Sequence, residues 1–196
     1  MIDFSKIVEI KANNIKPERG RILISEPLLN DYYFSRSVIL LAEHNEEGSF
    51  EIIMNKPLDV SFNEVVKDFP TFGGDIFLGG PVKSDSLFYI HTLGDIVENS
   101  YEIINGLFWG GETKIIKDMI ISGHIKSNQI RFFLGYSGWN PNQLEEELKR
   151  NSWVVSNTNS DFLLNVDYNL LWEKSLISLD KDYEIWTKFP KNPNFN

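Results

Sequence analysis

Residues 129–139 have the sequence QIRFFLGYSGW, and this stretch decides the fold. Its apolar and aromatic residues predict a β-strand over 129–135, followed by a strand-to-helix loop that contains Ser137. The segment Gly135-Tyr136-Ser137-Gly138-Trp139 nearly matches G-x-S-x-G, but Trp139 stands where the second glycine belongs. A nucleophile elbow needs small residues on both sides of the serine. The stretch therefore favours a structural loop at Ser137 over a hydrolase nucleophile.

The residues that follow this stretch predict two helices and one more strand. Asn140-Pro141 has the pattern of a helix N-cap followed by proline at the first helical position. Glu145 to Glu147 then lie in the early turns, where negative charge suits the helix dipole. Trp153 to Ser156 predicts a short strand, and the apolar residues within 170–177 predict a last helix.

On the N-terminal side, Ser37 to Glu43 is almost entirely apolar, as expected of a strand that is covered on both faces. Ser49 to Asn55 predicts the returning strand of a hairpin. Ser61 and Glu64 have the spacing of a capping box at the start of a helix. These elements predict a sheet with its hairpin close to the N-terminus.

The middle of the chain alternates strands with helices. Residues 101–109 predict a hairpin in which Asn105-Gly106 has the signature of a type I′ turn. Residues 112–122 predict an amphipathic helix, with Gly123 at the C-cap. Hairpins occur beside helices without a regular βαβ order, which favours an α+β fold over a doubly wound sheet.

The composition is that of an acidic globular protein. The 196 residues include 19 basic and 28 acidic side chains, a net charge of −9, and no cysteine. The lack of cysteine excludes disulfides, thiolate zinc sites, iron–sulfur clusters and a cysteine nucleophile. Duplex DNA repels such a protein unless basic residues are segregated on one surface, so direct DNA binding is disfavoured. The chain shows neither a signal-peptide pattern nor an apolar run that could span a membrane, and we expect a cytoplasmic protein.

The sequence contains no motif for a cofactor or a metal. Neither G-x-x-x-x-G-K-[ST] nor G-x-G-x-x-G occurs. The histidines His44, His91 and His124 lie far apart and lack metal-ligand spacing, so no metal site is predicted. His44 and His91 each end a predicted strand, which leaves open that the two converge in space.

Short motifs along residues 18–156 together carry a family resemblance. They are Gly20 to Pro27, Asp31, Phe34 to Leu41, His44 to Phe50, Asn55 to Pro57, Gly79 to Val82, His91, Leu134 to Trp139, Gln143 to Glu145, Glu147 to Leu148 and Trp153. In this order and spacing they resemble the YqgE/AlgH family, in its Bacteroidetes-like branch. Two positions depart from the family pattern. Glu51 stands where glycine is usual and either fills that space or points to solvent, and Lys56 stands where arginine is common.

The resemblance implies a compact single-domain α+β fold, in which helices surround a mixed β-sheet that is barrel-like or bifurcated. We expect residues 1–19 to form an N-terminal helix or arm, residues 20–188 the domain, and residues 189–196 a frayed tail. The resemblance implies no established activity, because members are described as uncharacterised or as transcriptional regulators. It brings no catalytic residue, metal or cofactor.

If the motif segments meet in space, they enclose a polar pocket with an aromatic wall, the usual form of a small-ligand site. We expect Arg36 to form a buried ion pair with Asp31, and Asn55 to hydrogen-bond local backbone. The alternative is that all of these residues stabilise the fold. The candidate pocket residues are Arg36, Ser37, His44, Asn55, Gly79, Gly80, Pro81, His91, Tyr136, Trp139 and Gln143.

Three kinds of function are left open. The first is non-enzymatic cytosolic binding or regulation through a small ligand or a protein partner, with any effect on transcription being indirect. The second is a small hydrolase or transferase acting on an anionic substrate, with His44 or His91 beside Ser37, Ser137 or a carboxylate. The third is a structural partner in an assembly, which would expose a large apolar patch.

Overall fold

A computed structural model of the chain describes residues 13–190, which form ten strands, six α-helices and one short 3-10 helix (Gly94–Ile96). The strands are β1 (Ile22–Ser25), β2 (Val38–Asn45), β3 (Gly48–Ile53), β4 (Pro57–Ser61), β5 (Asp75–Leu78), β6 (Val82–His91), β7 (Ser100–Ile104), β8 (Leu107–Gly110), β9 (Ile130–Trp139) and β10 (Trp153–Ser156). The helices are α1 (Phe62–Val65), α2 (Thr113–Ile121), α3 (Gln143–Lys149), α4 (Ser160–Asn165), α5 (Tyr168–Ile177) and α6 (Lys181–Thr187). Most of the predicted N-terminal helix or arm lies outside the described residues.

Strand β9 is the centre of the sheet because three strands pair with it. β6 pairs antiparallel with β9 along one edge. β3 and β5 share the other edge: β3 pairs antiparallel, with Glu51 opposite Ser137, and β5 pairs parallel, with Phe77 opposite Phe133. The main path runs β10-β1-β2-β3-β9-β6-β8-β7, and β5 with β4 branches from β9. The sheet is therefore mixed and bifurcated, and the α+β prediction is confirmed.

The branch depends on close backbone packing around Gly79. The Gly79 amide donates to the Leu134 carbonyl at 2.8 Å, and the Gly79 carbonyl accepts from the Ile53 amide at 2.9 Å. A Cβ atom on Gly79 would overlap the carbonyl of Gly135, so only glycine fits. The predicted loop at Ser137 is wrong, because pairing with β3 extends the strand through this residue.

The β1 side of the main path curls towards its β7 end, and the sheet does not close into a barrel. Gly20, just before β1, contacts Ile104 at the end of β7, and a Cβ atom on Gly20 would overlap Ile104 Cγ2. The Arg19 guanidinium lies 5.1 Å from the centre of the Tyr101 ring in β7. Within residues 13–190, no ladder joins β7 to β1 or β2. A gap therefore remains between β2–β3 and β7–β8, and we call it the seam.

Three apolar clusters form the core. The largest packs the sheet against the C-terminal helices and includes Leu171 and Leu176 of α5. The second lies under α2 around Phe132, and the third lies under α3 around Trp153. The first residues of β2, Val38 to Ala42, are all buried, as predicted, because alternate residues join the first and third clusters.

Three local predictions are wrong in detail. Helix α3 begins at Gln143 rather than at Asn140-Pro141, because Asn142 adopts a left-handed conformation with φ of +65° just before it. Asn105-Gly106 does join β7 to β8, but Gly106 alone of the pair has positive φ, so the turn is not type I′. The predicted last helix is α5, and α6 follows it. No helix within residues 13–190 is long and apolar enough to cross a membrane.

The start of the predicted frayed tail is packed against the body of the protein. Phe189 is only 3% exposed, and its carbonyl accepts a hydrogen bond from Arg36 Nη2 at 2.6 Å. Phe189 therefore belongs to the folded domain. The remainder of the predicted tail, residues 191–196, lies outside the described part of the chain.

Candidate functional site

The strongest candidate site is a cavity of about 520 Å³ between the sheet and the C-terminal helices, which we call the Arg36 cavity. Ser35 and Arg36 form its wall before β2, and Asn55 and Lys56 form its wall between β3 and β4. On the opposite side the wall comes from α5, including Trp172, and from the end of α6. Two of the predicted pocket residues, Arg36 and Asn55, thus line one cavity.

Arg36 brings a positive charge to this cavity. Its guanidinium lies 4.8 Å from the centre of the Trp172 ring, and its Nη2 donates to the Phe189 carbonyl. Its Nε is buried and has no hydrogen-bond partner among residues 13–190. Burial lowers the pKa of the Arg36 guanidinium, and nearby Glu173 opposes that change. Because arginine remains protonated in proteins, the cavity contains a partly paired cation.

The backbone of Arg36 is strained and is held by Asn55. Arg36 has φ of +50°, which is uncommon for a residue with a side chain. Asn55 Nδ2 donates to the Arg36 carbonyl at 3.0 Å, and Asn55 Oδ1 accepts from the Val38 amide at 2.9 Å. The prediction that Asn55 bonds local backbone is therefore wrong, because its two hydrogen bonds reach Arg36 in the β1–β2 connection and Val38 at the start of β2. Strain of this kind persists where surrounding contacts enforce it, often at functional sites.

A second cation lies beside the first. Lys56 Nζ donates to the Ser35 carbonyl at 2.6 Å, which places the ammonium group on the same wall as Arg36. The predicted ion pair between Arg36 and Asp31 is wrong. Asp31 Oδ1 instead accepts two backbone N–H groups of its own turn, at 2.8 and 2.9 Å. The Arg36 side chain instead contacts the Trp172 ring and the Phe189 carbonyl.

Ser37 and Ser25 anchor this region from inside the protein. Ser37 is completely buried. Its amide donates to Ser25 Oγ at 2.9 Å, and its hydroxyl donates to the Phe34 carbonyl at 2.8 Å. Trp172 Nε1 donates to the Ser25 carbonyl at 2.9 Å. The aromatic wall of the Arg36 cavity is therefore fixed to β1, and Ser37 supports the cavity without lining it.

A second cavity, of about 390 Å³, lies on the other side of Tyr168 and is lined in part by Arg131. The Arg131 guanidinium donates to the carbonyls of Met54 and Leu164 at 3.1 and 3.2 Å and lies 4.7 Å from the centre of the Phe77 ring. Burial lowers the pKa of Arg131 to about 10. Because this cation is committed to backbone carbonyls, the Arg36 cavity is the better candidate for a ligand.

His44 lies at the opposite end of β2 from Arg36. It lines a separate cavity of about 530 Å³, where its Nε2 is 3.5 Å from Glu145 Oε1. Its Nδ1 is buried and has no partner in the described part of the chain. Gln143, on the same helix as Glu145, donates to Glu147 Oε1 at 3.1 Å. Neither His44 nor Gln143 lines the Arg36 cavity.

His91 is a buried structural histidine in β6. Its Nδ1 accepts from the Leu93 amide at 3.2 Å, so Nε2 has the proton and donates to the Gly110 carbonyl at 3.0 Å. The ring stacks on Phe108 at 5.8 Å between centres. Burial lowers the pKa of the imidazole, and the hydrogen bond to Gly110 opposes this. Both ring nitrogens are used by the backbone, so neither is left for His44.

The other predicted pocket residues belong to the branch of the sheet and its neighbourhood. A Cβ atom on Gly80 would overlap the Tyr136 backbone. The Tyr136 ring packs against Phe50 at 4.6 Å, and the buried Trp139 packs against Trp153 at 5.8 Å between centres. These contacts fit the structural alternative that the sequence left open. The residues concerned are Gly79, Gly80, Tyr136 and Trp139, whereas Pro81 is exposed between β5 and β6 and lies outside the Arg36 cavity.

Glu51, one of the two departures from the family pattern, fills the space beside β9 and does not point to solvent. Its side chain is 0% exposed, and neither carboxyl oxygen has a hydrogen-bond partner among the described residues. Burial raises the pKa of the Glu51 carboxyl to about 8; the nearby Ser49 hydroxyl opposes this rise, and Glu147 adds to it. At neutral pH this carboxyl group is therefore mostly protonated.

The sequence pattern did not predict that the C-terminal helices form half of the wall of the Arg36 cavity. Trp172 lies among apolar residues of α5, and such a pattern predicts core packing rather than a ligand wall. The polar residues Asn169 and Glu173 within this apolar helix were the available signal. Within residues 13–190, no group of three or more His, Asp or Glu side chains is arranged to hold a metal ion.

Known proteins resemble this chain along most of its length. The AlgH-like family model matches residues 22–184. A UPF0301 protein of Bacteroides fragilis is 45% identical over 192 residues, which covers 97% of both chains, and one of Parabacteroides distasonis is 43% identical over all of both chains. A crystal structure from Corynebacterium diphtheriae has a TM-score of 0.72 at 23% identity, covering 93% of this chain and 97% of that one. The solution structure of AlgH from Pseudomonas aeruginosa has a TM-score of 0.68 at 25% identity, covering 87% and 94%.

Proposed function

This chain belongs to the AlgH-like family, in the branch of its Bacteroides relatives, and on that premise we propose that it is a non-enzymatic cytosolic binding module with a regulatory role. The Arg36 cavity is the binding site, and the ligand is a small molecule with a phosphate or carboxylate group. Any effect on transcription is indirect. An acidic chain with a net charge of −9 is poorly suited to bind duplex DNA over a broad surface.

The observation that carries this proposal is the arrangement of Arg36. Its guanidinium lies 4.8 Å from the centre of the Trp172 ring and keeps one buried nitrogen unpaired among residues 13–190, beside a lysine on the same wall. A planar guanidinium next to an ammonium group matches the oxygens of phosphate or carboxylate, and the indole adds apolar area for the rest of a ligand. A cavity of about 520 Å³ is in the usual range for a small-molecule site.

The position of the cavity supports a regulatory role. Its sheet side comes from the segments around Arg36 and Asn55, and its other side comes from α5 and α6. A ligand that touches both sides favours the docked state of these helices, because binding stabilises the state that binds. Occupancy would then alter the surface that α5 and α6 present to a protein partner.

The enzyme alternative has less support than binding. Ser37 Oγ donates to the Phe34 carbonyl, and Ser137 Oγ donates to the Gly79 carbonyl at 3.3 Å. His44 is paired with Glu145, and His91 with backbone. Nucleophilic catalysis needs a base within hydrogen-bond reach of the hydroxyl, and these contacts lead each group to other partners.

A thermal-shift titration with phenyl phosphate tests the proposal, because this probe joins an anion to a ring. We expect the midpoint of thermal unfolding of the wild type to rise by at least about 2 °C at saturating phenyl phosphate. Arg36→Gln should lose most of the gain, measured against its own unliganded midpoint. Lys149→Gln is the matched control, since Lys149 is exposed and paired with Glu146.

Hydrogen exchange of the wild-type protein provides a readout that does not depend on a variant. With phenyl phosphate bound, amides of α5 and α6 should exchange more slowly, while those of α2, on the other cluster, should not change. The proposal fails if a panel of phosphate and carboxylate probes produces no shift, or if Arg36→Gln and the wild type shift equally.

A further inference from the structure

The seam of the sheet contains a cavity that the proposed function does not use. It has a volume of about 350 Å³ and is lined by Ala42, Glu43, Phe50, Tyr101 and Trp109. These residues come from β2, β3, β7 and β8, the strands that face each other where the sheet stays open. None of them lines the Arg36 cavity, so the two sites are separate.

The aromatic walls of this seam cavity are held from behind. The rings of Phe50 and Trp109 meet at 4.7 Å between centres and 71°, forming a corner. Phe88 stacks on Trp109 at 5.3 Å, and Tyr136 packs on Phe50 at 4.6 Å. Because these half-buried neighbours pack against the two rings, the corner exists before any ligand arrives, and binding costs little side-chain entropy.

The seam cavity also has a carboxylate at its rim and a lining aromatic ring that already contacts a cation. Glu43 is exposed at its rim, beside the aromatic corner. Tyr101, which is 46% exposed, already has the Arg19 guanidinium over its ring at 5.1 Å, and Arg19 Nη1 also donates to the Tyr101 hydroxyl. One ring of the seam cavity, Tyr101, therefore already accepts a positive charge.

We propose that the seam cavity binds a small organic cation of the quaternary or methylated ammonium class. The positive group lies against the corner of Phe50 and Trp109, with Glu43 as its counter-ion. Ring faces attract such cations electrostatically, and methylated ammonium groups lose less hydration than a primary amine when they enter an aromatic site. The Arg19 charge on the Tyr101 side limits affinity, because like charges repel.

Choline and its neutral carbon isostere, dimethylbutanol, distinguish this site from a merely apolar pocket. They have nearly the same shape, so a difference in affinity reports the charge. In calorimetric titrations of the full chain, we expect choline to bind about tenfold more tightly than the alcohol. Glu43→Gln should weaken choline binding severalfold and leave the alcohol unaffected, and Arg19→Gln should strengthen choline binding.

Two controls keep the test specific. Glu102→Gln removes one negative charge from neighbouring β7 at a residue that does not line the seam cavity, so choline affinity should change little. Trp109→Leu should remove binding of both probes, while Trp186→Leu, in α6, should not. Equal affinity for choline and the alcohol, equal effects of the two glutamate variants, or no choline binding at millimolar concentration would each overturn the proposal.

Discussion

Glu51 of β3 lies directly opposite Ser137 of β9, and its carboxyl group is completely buried at that point of the sheet. Neither oxygen meets hydrogen-bond geometry with a residue in the range 13–190, although Ser49 and Glu147 are close enough to affect its titration. A buried polar group without a partner is expensive, and an unpaired buried charge is more so. The protein therefore keeps this carboxyl group neutral by holding its proton.

Replacing Glu51 by glutamine should make the protein more stable at high pH only. The folded pKa of about 8 exceeds the ordinary value of 4.5, so the folded state binds the proton more tightly than the unfolded chain. The wild type then loses stability as pH rises between these two values, by up to about 1.4 kcal/mol per pH unit. Urea unfolding of both proteins should give similar free energies near about pH 5 and a difference of roughly 3–5 kcal/mol above about pH 8.

Glu47→Gln is the control for this experiment, since Glu47 is an exposed residue of the neighbouring β2–β3 turn. The free energy of unfolding of Glu47→Gln should equal that of the wild type at every pH. A constant difference between Glu51→Gln and the wild type from acid to alkaline pH would show that Glu51 does not titrate as argued.

Substituting Gly20 by alanine should destabilise the fold strongly. Gly20 has φ of +82°, and a Cβ atom would overlap Ile104 Cγ2 where the segment before β1 approaches β7. The cost combines left-handed backbone strain with a steric clash, roughly 3 kcal/mol in urea unfolding. Gly106→Ala is the matched comparison because Gly106 has φ of +74° but open space around it. It should cost about 1 kcal/mol, and equal losses for the two variants would contradict the close approach.

Trp172→Phe should cost more than Trp186→Phe, although both tryptophans are buried in C-terminal helices. Trp172 Nε1 donates to the Ser25 carbonyl, whereas Trp186 Nε1 has no partner among the described residues. Removing the first donor leaves a buried carbonyl unpaired, at about 1–3 kcal/mol, and weakens the wall behind Arg36. Chemical denaturation measures the cost, and a larger loss in Trp186→Phe would refute this account of the anchor.

His91 should titrate below its ordinary pKa of 6.5, because burial disfavours the charged ring. As the pH falls, the unfolded chain therefore binds this proton at a higher pH than the folded state does. Its contribution to stability is complete above about pH 6.5 and is lost as pH falls below that value. Nitrogen-15 NMR spectra at neutral pH should show that His91 Nε2 is protonated and that His91 Nδ1 is not. A proton on Nδ1, or a midpoint above the ordinary value, would rule out the pairing with Leu93 and Gly110.

Elements governed by neighbouring residues were predictable from the sequence. The capping box is confirmed, since the Ser61 amide donates to Glu64 Oε2 at 2.7 Å. The amphipathic helix predicted over 112–122 is confirmed as α2, because its periodic apolar face packs into one cluster. In such segments the local pattern and the tertiary packing favour the same structure.

What the sequence could not supply was pairing between distant segments. The glycine-rich end of β9 was predicted as loop, but β3 pairs with it and extends the strand through Ser137. Arg36 and Asn55 were both among the predicted pocket residues, and they do line one cavity. The opposite wall of that cavity, at Trp172, lies on a helix with no local sequence feature that indicates contact with Arg36. Such partners become visible only when the topology is known.

The central position of β9 has a consequence for how the protein is made. Its three partner strands all precede it in the chain, so they leave the ribosome before the strand that joins them. Until then β3, β5 and β6 have unpaired edges, which invite association with other nascent chains. Sheets built from such distant pairings form slowly. We therefore expect the emerging polypeptide to depend on holdase protection until residues 130–139 have been synthesised.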